Sequence, residues 1–168
     1  MKWNEFVENV QRWAAERGIY EHSTALAQLY KAISEHGELV DGVAKQDKEA
    51  IKDGIGDVAV CLINTVVLLG DTTVLLGERR DIRTSRAILG VHIALGTSLD
   101  NLTALTDGSN DKALVAALVT SALGHLQAIA HNEGLKFYEC LGAAWDAIKD
   151  RKGKVVPGGV FVKENDDD

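Results

Sequence analysis

The chain has 168 residues, enough for one core of useful size and short of two average domains. Lys and Arg number 18 against 25 Asp and Glu, a net charge of −7, and 46% of residues are hydrophobic; this excludes a disordered chain and argues against a nucleic-acid backbone held by bulk positive charge. With 16 Gly, one Pro and few β-branched runs, the composition favours long uninterrupted helices over a β-sandwich.

Residues 3–16 place Trp3, Phe6, Val7, Val10 and Trp13 among Glu5, Glu8, Arg12 and Glu16. That is an amphipathic helix and not a secretory leader, so a cytoplasmic location is expected. Further helices are predicted over 23–43, 47–69, 85–105, 111–131 and 136–151, with Ser23 and Asp47 as N-caps and Gly18, Gly70 and Gly134 as stops. The apolar run 58–70 is broken by Asn64 and too short to cross a bilayer, so no membrane partner is expected. Cys61 and Cys140 sit in apolar stretches without a CxxC neighbour and read as reduced core residues.

After the last helix, Gly153, Pro157, Gly158 and Gly159 alternate with Val155, Val156, Val160, Phe161 and Val162, the pattern of an extended tail or small hairpin folding back on the body. The acidic run 164–168 is expected to be disordered. Leu39-Val40-Asp41-Gly42 has an echo in Leu105-Thr106-Asp107-Gly108, which would make 85–131 a second helix pair on the plan of 23–69. In that alignment Asn101 and Ala104 replace the acids of the first copy. The expected architecture is a single all-α domain, an antiparallel bundle of six helices around 47–69.

At about 100° per residue the helix 23–43 carries Leu26, Leu29, Ile33 and Val40 on one stripe and Gln28, Lys31, Glu35 and Glu38 on the opposite side. Two acids one turn apart repel unless a cation stands between them, although Lys31 also has the i, i+4 spacing of an ordinary surface pair with Glu35. The next helix is apolar nearly all round and therefore buried, yet Asp53, Asp57 and Asn64 share one narrow strip with Glu49 beside it. A carboxylate there must face a cation, a basic residue such as Lys31 or Arg151, or a wet cleft. Joined as a hairpin, the two helices can gather Glu35, Glu38, Asp53 and Asp57; four oxygen donors without His or Cys suit Mg²⁺ or Mn²⁺ better than zinc. No GxxxxGK[ST] loop or Gly-x-Ser-x-Gly elbow occurs, and His22, His36, His92, His125 and His131 show no metal-pair spacing.

Glu35-x-x-Glu38, a short loop, and then an acidic pair ending in Gly56-Asp57 ahead of an apolar helix resembles the all-α nucleoside triphosphate pyrophosphohydrolases of the MazG-like group. Gln28-Leu29-Tyr30-Lys31 before the first pair, and Ile148 to Lys154 with Gly159 to Lys163 at the end, are similar to its phage-type and small bacterial members. The resemblance covers 1–70 and 134–164, leaving 71–133 as an inserted helix pair. It implies cleavage of a nucleoside triphosphate between its α and β phosphates, with Glu35, Glu38 and Asp57 as catalytic residues and Asp53 as the fourth ligand to Mg²⁺. It also implies a homodimer or homotetramer. The family's second motif is Glu-x-x-Asp, and here Gly54 stands at the Glu position, which leaves room for a catalytically degenerate binding or assembly module. Lys31, Lys149, Arg151 and Lys152 are basic candidates for the triphosphate, or else solvated residues, the last three offsetting a helix C-terminus. Gln28 and Asn64 could read a base or sugar edge, or satisfy backbone groups. Trp3, Trp13 and Trp145 have the spacing of core residues, though each could stack on a base.

Overall fold

The computed structural model describes residues 1–104 and 111–164. Among them are seven helices and one two-stranded hairpin, an all-α architecture. Helix α1 (Trp3–Glu16) buries Trp3, Phe6, Val7, Val10 and Trp13, the apolar face read from its period. Gly18, at φ 68, takes the left-handed conformation that stops it and turns the chain into α2 (Ile19–His22). That single turn is not predicted from the sequence, since four residues carry no period.

Helix α3 (Ala25–Lys45) starts one residue later than expected: Thr24, not Ser23, is the N-cap, its Oγ1 accepting from the Ala27 amide at 3.1 Å. Gln46 (φ 58) turns the chain, and Asp47 caps α4 (Lys48–Leu68) by accepting from the Glu49 and Ala50 amides at 3.1 Å each. The α3–α4 hairpin is drawn tight by Gly54, where an added Cβ would lie 2.8 Å from Leu39 Cβ. α4 is buried over most of its length, with Ile51, Ile55, Leu62 and Ile63 fully enclosed. Each such side chain contributes about 1.5–3 kcal/mol of apolar burial. α7 (Phe137–Ile148) crosses α4 where Gly56 meets Ala144.

The inward face of α3 differs from the simple wheel. Leu26, Ile33 and Val40 are only half-buried, while Gln28, Leu29, Ala32, Glu35, His36 and Leu39 are buried. The reason is that α3 has neighbours on more than one side: α5 (Thr84–Thr103) covers the flank where His36 meets His92, and Gln28 and Glu35 are enclosed by α4 and by residues from both ends of the chain.

Residues 71–83 have no regular secondary structure but are strapped to the bundle. Trp3 Nε1 donates to Val74 O at 2.8 Å, Gln11 Nε2 to Thr72 O at 2.8 Å and Asn132 Nδ2 to Ile82 O at 2.7 Å. α5 and α6 (Lys112–Asn132) then form a second hairpin, α5 against α3 and α6 against α4. α6 is long and apolar enough to cross a membrane by length and composition, and half of that stretch is buried within the protein. Strands β1 (Gly153–Val155) and β2 (Phe161–Lys163) pair antiparallel, Gly153 opposite Lys163, as the hairpin expected from the glycine-rich tail. Cys61 and Cys140 are free and buried. The echo at Leu105 to Gly108 and the acidic end beyond Glu164 lie outside the described residues.

Candidate functional site

Three elements enclose one cleft. α3 supplies Gln28, Lys31 and Glu35 from successive turns of one face; α4 supplies Asp57, Val60, Cys61 and Asn64 from the strip facing it. The third wall comes from both ends of the chain, Trp13 and Ile19 from the first and Ile148, Arg151, Val160 and Phe161 from the last. Trp13 and Phe161 meet edge to face at 5.4 Å between ring centres. The Arg17 guanidinium lies 5.7 Å over the Trp13 ring and donates to Arg151 O at 3.0 Å, fixing the end of α7 against α1.

The floor is a continuous polar chain. Tyr20 Oη donates to Asn64 Oδ1 at 2.9 Å, Asn64 Nδ2 to Gln28 Oε1 at 3.5 Å, and Gln28 Nε2 to Ser23 Oγ at 3.0 Å; Ser23 in turn donates to Gly159 O. This network ties α2, α4, α3 and the terminal hairpin together. Among the described residues Trp13 Nε1 is buried without a hydrogen-bond partner at the edge of the cleft, a donor that a bound acceptor would satisfy.

The charges are asymmetric. Glu35 is 7% exposed and paired with Lys31, the i, i+4 contact that the spacing allowed. Burial works against the charge on Lys31, but Glu35 outweighs it and the ammonium pKa lies above its ordinary value. Asp57 has no ion-pair partner among the described residues. Burial first, then repulsion from Asp53 and Glu35, pushes its carboxyl up to about 7, with Arg151 and Lys31 offsetting only part. Burial likewise drives the Cys61 thiol and the Tyr20 phenol well above their ordinary values, so both are neutral.

Of the residues singled out from the sequence, the cleft gathers Gln28, Lys31, Glu35, Asp57, Asn64 and Arg151. Glu38 and Asp53 are exposed, each one turn along its helix from Glu35 or Asp57, and do not line it. Lys152 is exposed away from the lining, and Lys149 is paired with Asp146 at 2.7 Å. Among the described residues no three of His, Cys, Asp and Glu converge as a ready metal cluster. The oxygen donors of the cleft are two carboxylates from facing helices, Glu35 paired with Lys31 and Asp57 raised to about 7 chiefly by burial, a donor type that a hard divalent cation takes. Sequence reasoning missed Tyr20 and Ser23, which join the site only because α2 and the hairpin fold against it. The Gly54 position is filled by packing, so a side chain there would meet Leu39 and not the cleft.

The cleft encloses about 70 Å³ of free space. That accommodates a planar ring edge or a phosphate with its waters and falls short of the ~300–1,000 Å³ of sites that enclose a whole drug-sized ligand.

Over 64 residues the chain is 41% identical to an uncharacterized 18.2 kDa protein in the rep-hol intergenic region of Haemophilus phage HP1. The match takes in 38% of this chain and 37% of the phage protein, little more than a third of that relative's length. No family model matches the chain, and no solved structure matches it.

Proposed function

We propose that the chain is a metal-dependent nucleoside triphosphate pyrophosphohydrolase of MazG-like architecture, converting a (deoxy)nucleoside triphosphate and water into the monophosphate and pyrophosphate. The observation that carries this reading is Asp57: a carboxylate that forms no ion pair among the described residues and is pushed up to about 7 by burial, facing Glu35 across a cleft that also holds Lys31 and Arg151. Glu35 and Asp57 would hold Mg²⁺ or Mn²⁺, with Glu38 and Asp53 one turn away as outer carboxylates. Such a cation supplies charge neutralisation on the phosphates and Lewis-acid polarisation. Lys31 and Arg151 place two cations beside the acids, where phosphate oxygens need them. Binding the cation displaces the proton from Asp57, so metal affinity is expected to rise as pH climbs through about 7. Gln28, Asn64 and Trp13 also line the cleft, and the Trp13 N–H, without a hydrogen-bond partner among the described residues, is a donor that a base edge would find there. Because the cleft is small, a second subunit or an outward shift of the terminal hairpin must complete the nucleotide site.

Gly54 supports a second reading. Its packing against Leu39 removes the family's acid from that position, leaving two inner carboxylates, as in a module that keeps the bundle for binding or assembly without turnover.

The purified chain is incubated with each common NTP and dNTP and Mg²⁺ or Mn²⁺, and products are resolved by ion exchange. Monophosphate and pyrophosphate in equal amounts, lost in Asp57→Asn and Glu35→Gln, support the hydrolase. Orthophosphate as the product overturns the α–β assignment. No turnover with any triphosphate favours the binding module.

A further inference from the structure

α5 turns one face to the bundle, burying Ala87, Val91, Ala94, Leu95 and Ser98. Its outer face carries Arg86, Leu89, Ile93, Gly96 and Asp100, all exposed, at successive spacings of 3, 4, 3 and 4. That is the seam of helices that pair along their length, and at about 100° per residue the five side chains fall within about 80°. Leu89 and Ile93 are 42% and 55% exposed. Gly96 has nothing within 4 Å of where a Cβ would stand, which leaves space for a closely approaching backbone. Beside the seam a trough of about 360 Å³ between α5 and α6 is lined by Leu89, Ile93 and Leu118 together with Arg80, Arg86 and His125, room for apolar and acidic side chains of an incoming helix.

The charges select the occupant. Arg86 and Asp100 stand one heptad to either side of Ile93, each roughly 10 Å from it along the axis. Neither has an ion-pair partner among the described residues. A second α5 running antiparallel and crossing at Ile93 sets its Asp100 against Arg86 and its Arg86 against Asp100, closing two equivalent ion pairs about a two-fold axis. A parallel copy sets like charges together. An acidic partner segment or an anionic lipid surface would use Arg86 and has no use for Asp100. We propose that α5 is the self-complementary face of a two-fold homodimer, antiparallel and centred on Ile93, in which residue i meets j and j meets i.

The α5 face and its register are argued from this helix alone, and the test reads mass and not hydrolysis, so its failure is distinct from failure of the nucleotide reading. Sedimentation equilibrium of the full chain over a wide concentration range is expected to give a dimer, and Ile93→Asp a monomer of unchanged helicity, since Ile93 lies outside the core. Arg86→Asp and Asp100→Arg each raise the dimer dissociation constant about tenfold, two pairs being lost at once. Combining them swaps the charges and restores the constant to within about threefold. Cys61 and Cys140 being buried, Ile93→Cys presents a single reactive thiol and is cross-linked to itself by a short bis-maleimide. A monomer at every concentration overturns the proposal and leaves the seam to an acidic segment or a lipid surface. A dimer that survives Ile93→Asp overturns it by placing the interface elsewhere, and a double variant without rescue overturns the antiparallel register.

Discussion

Asp57→Asn exchanges a half-buried cleft carboxyl, which forms no ion pair among the described residues, for a neutral group of the same shape. In the folded chain the Asp57 carboxyl is raised from 3.8 to about 7, by burial and then by Asp53 and Glu35. A group that holds its proton more tightly when folded makes the folded state less stable as pH climbs through that interval; below it the proton is bound in both states and the penalty vanishes. At 1.36 kcal/mol per tenfold the interval sets a ceiling of about 4 kcal/mol, which water at the cleft mouth reduces by roughly half. Asp57→Asn is therefore expected to match the wild type near pH 4 and to exceed its stability by about 2 kcal/mol near pH 8. Urea unfolding followed by far-ultraviolet circular dichroism at both pH values measures the difference, in which every carboxylate common to the two chains cancels. Mg²⁺ at a hundred times its dissociation constant should add about 2.7 kcal/mol to the wild type near pH 8 and far less to the variant. Equal pH slopes in the two proteins, or a variant less stable at both pH values, would refute the account of Asp57 as an uncompensated charge.

Gly54→Ala places a Cβ 2.8 Å from Leu39 Cβ and 2.9 Å from its Cα, so thermal unfolding should show a loss of about 1–3 kcal/mol, and Gly54→Glu should not increase Mg²⁺ affinity in calorimetry. Tyr20→Phe removes the hydroxyl that donates to Asn64 at 2.9 Å and is expected to cost about 1 kcal/mol in the same unfolding assay. Ser23→Ala cuts the link between Gln28 and Gly159; amide exchange in β1 and β2 should quicken about fivefold while α4 is unaffected, which hydrogen-exchange mass spectrometry resolves by segment.

The helices were legible where one rule acts alone. Asp47, followed by the nearly continuous apolar circumference of 55–69, announces a capped and buried helix, and Gly18, Gly70 and Gly134 stand at positive φ where the periods end. The inward arc of α3 was not legible, because a wheel assumes one covering partner and α3 has α4, α5 and the ends of the chain around it. Gln28 and Glu35, placed with the polar face by their chemistry, are enclosed because the two ends of the chain, with Trp13, Ile19, Arg151 and Phe161, close over a flank that a hairpin alone would leave to water. α2 and the choice of Thr24 over Ser23 as cap follow from tertiary demand: Ser23 is taken by the hairpin's Gly159 carbonyl some 136 residues away.

The site shows the same division. That Glu35 and Asp57 face each other follows from two helical periods and a short loop. That Glu38 and Asp53 fall outside the cleft follows from the closeness of the helices, which Gly54 and Gly42 permit by seating Leu39 and Ala50 against the opposite backbone. The enclosed acid on α3 is bound to Lys31, its own cation one turn back; the acid on α4 has Arg151 as its principal counter-charge, and Arg151 is brought there only by the docked end of the chain. The charge state of Asp57 is thus set by the depth of the α3–α4 hairpin and the seating of residues 151–161. Neither is a property of the acids' spacing, and both are fixed by glycine contacts and by the Arg17 and Ser23 hydrogen bonds that a reading of acidic motifs passes over.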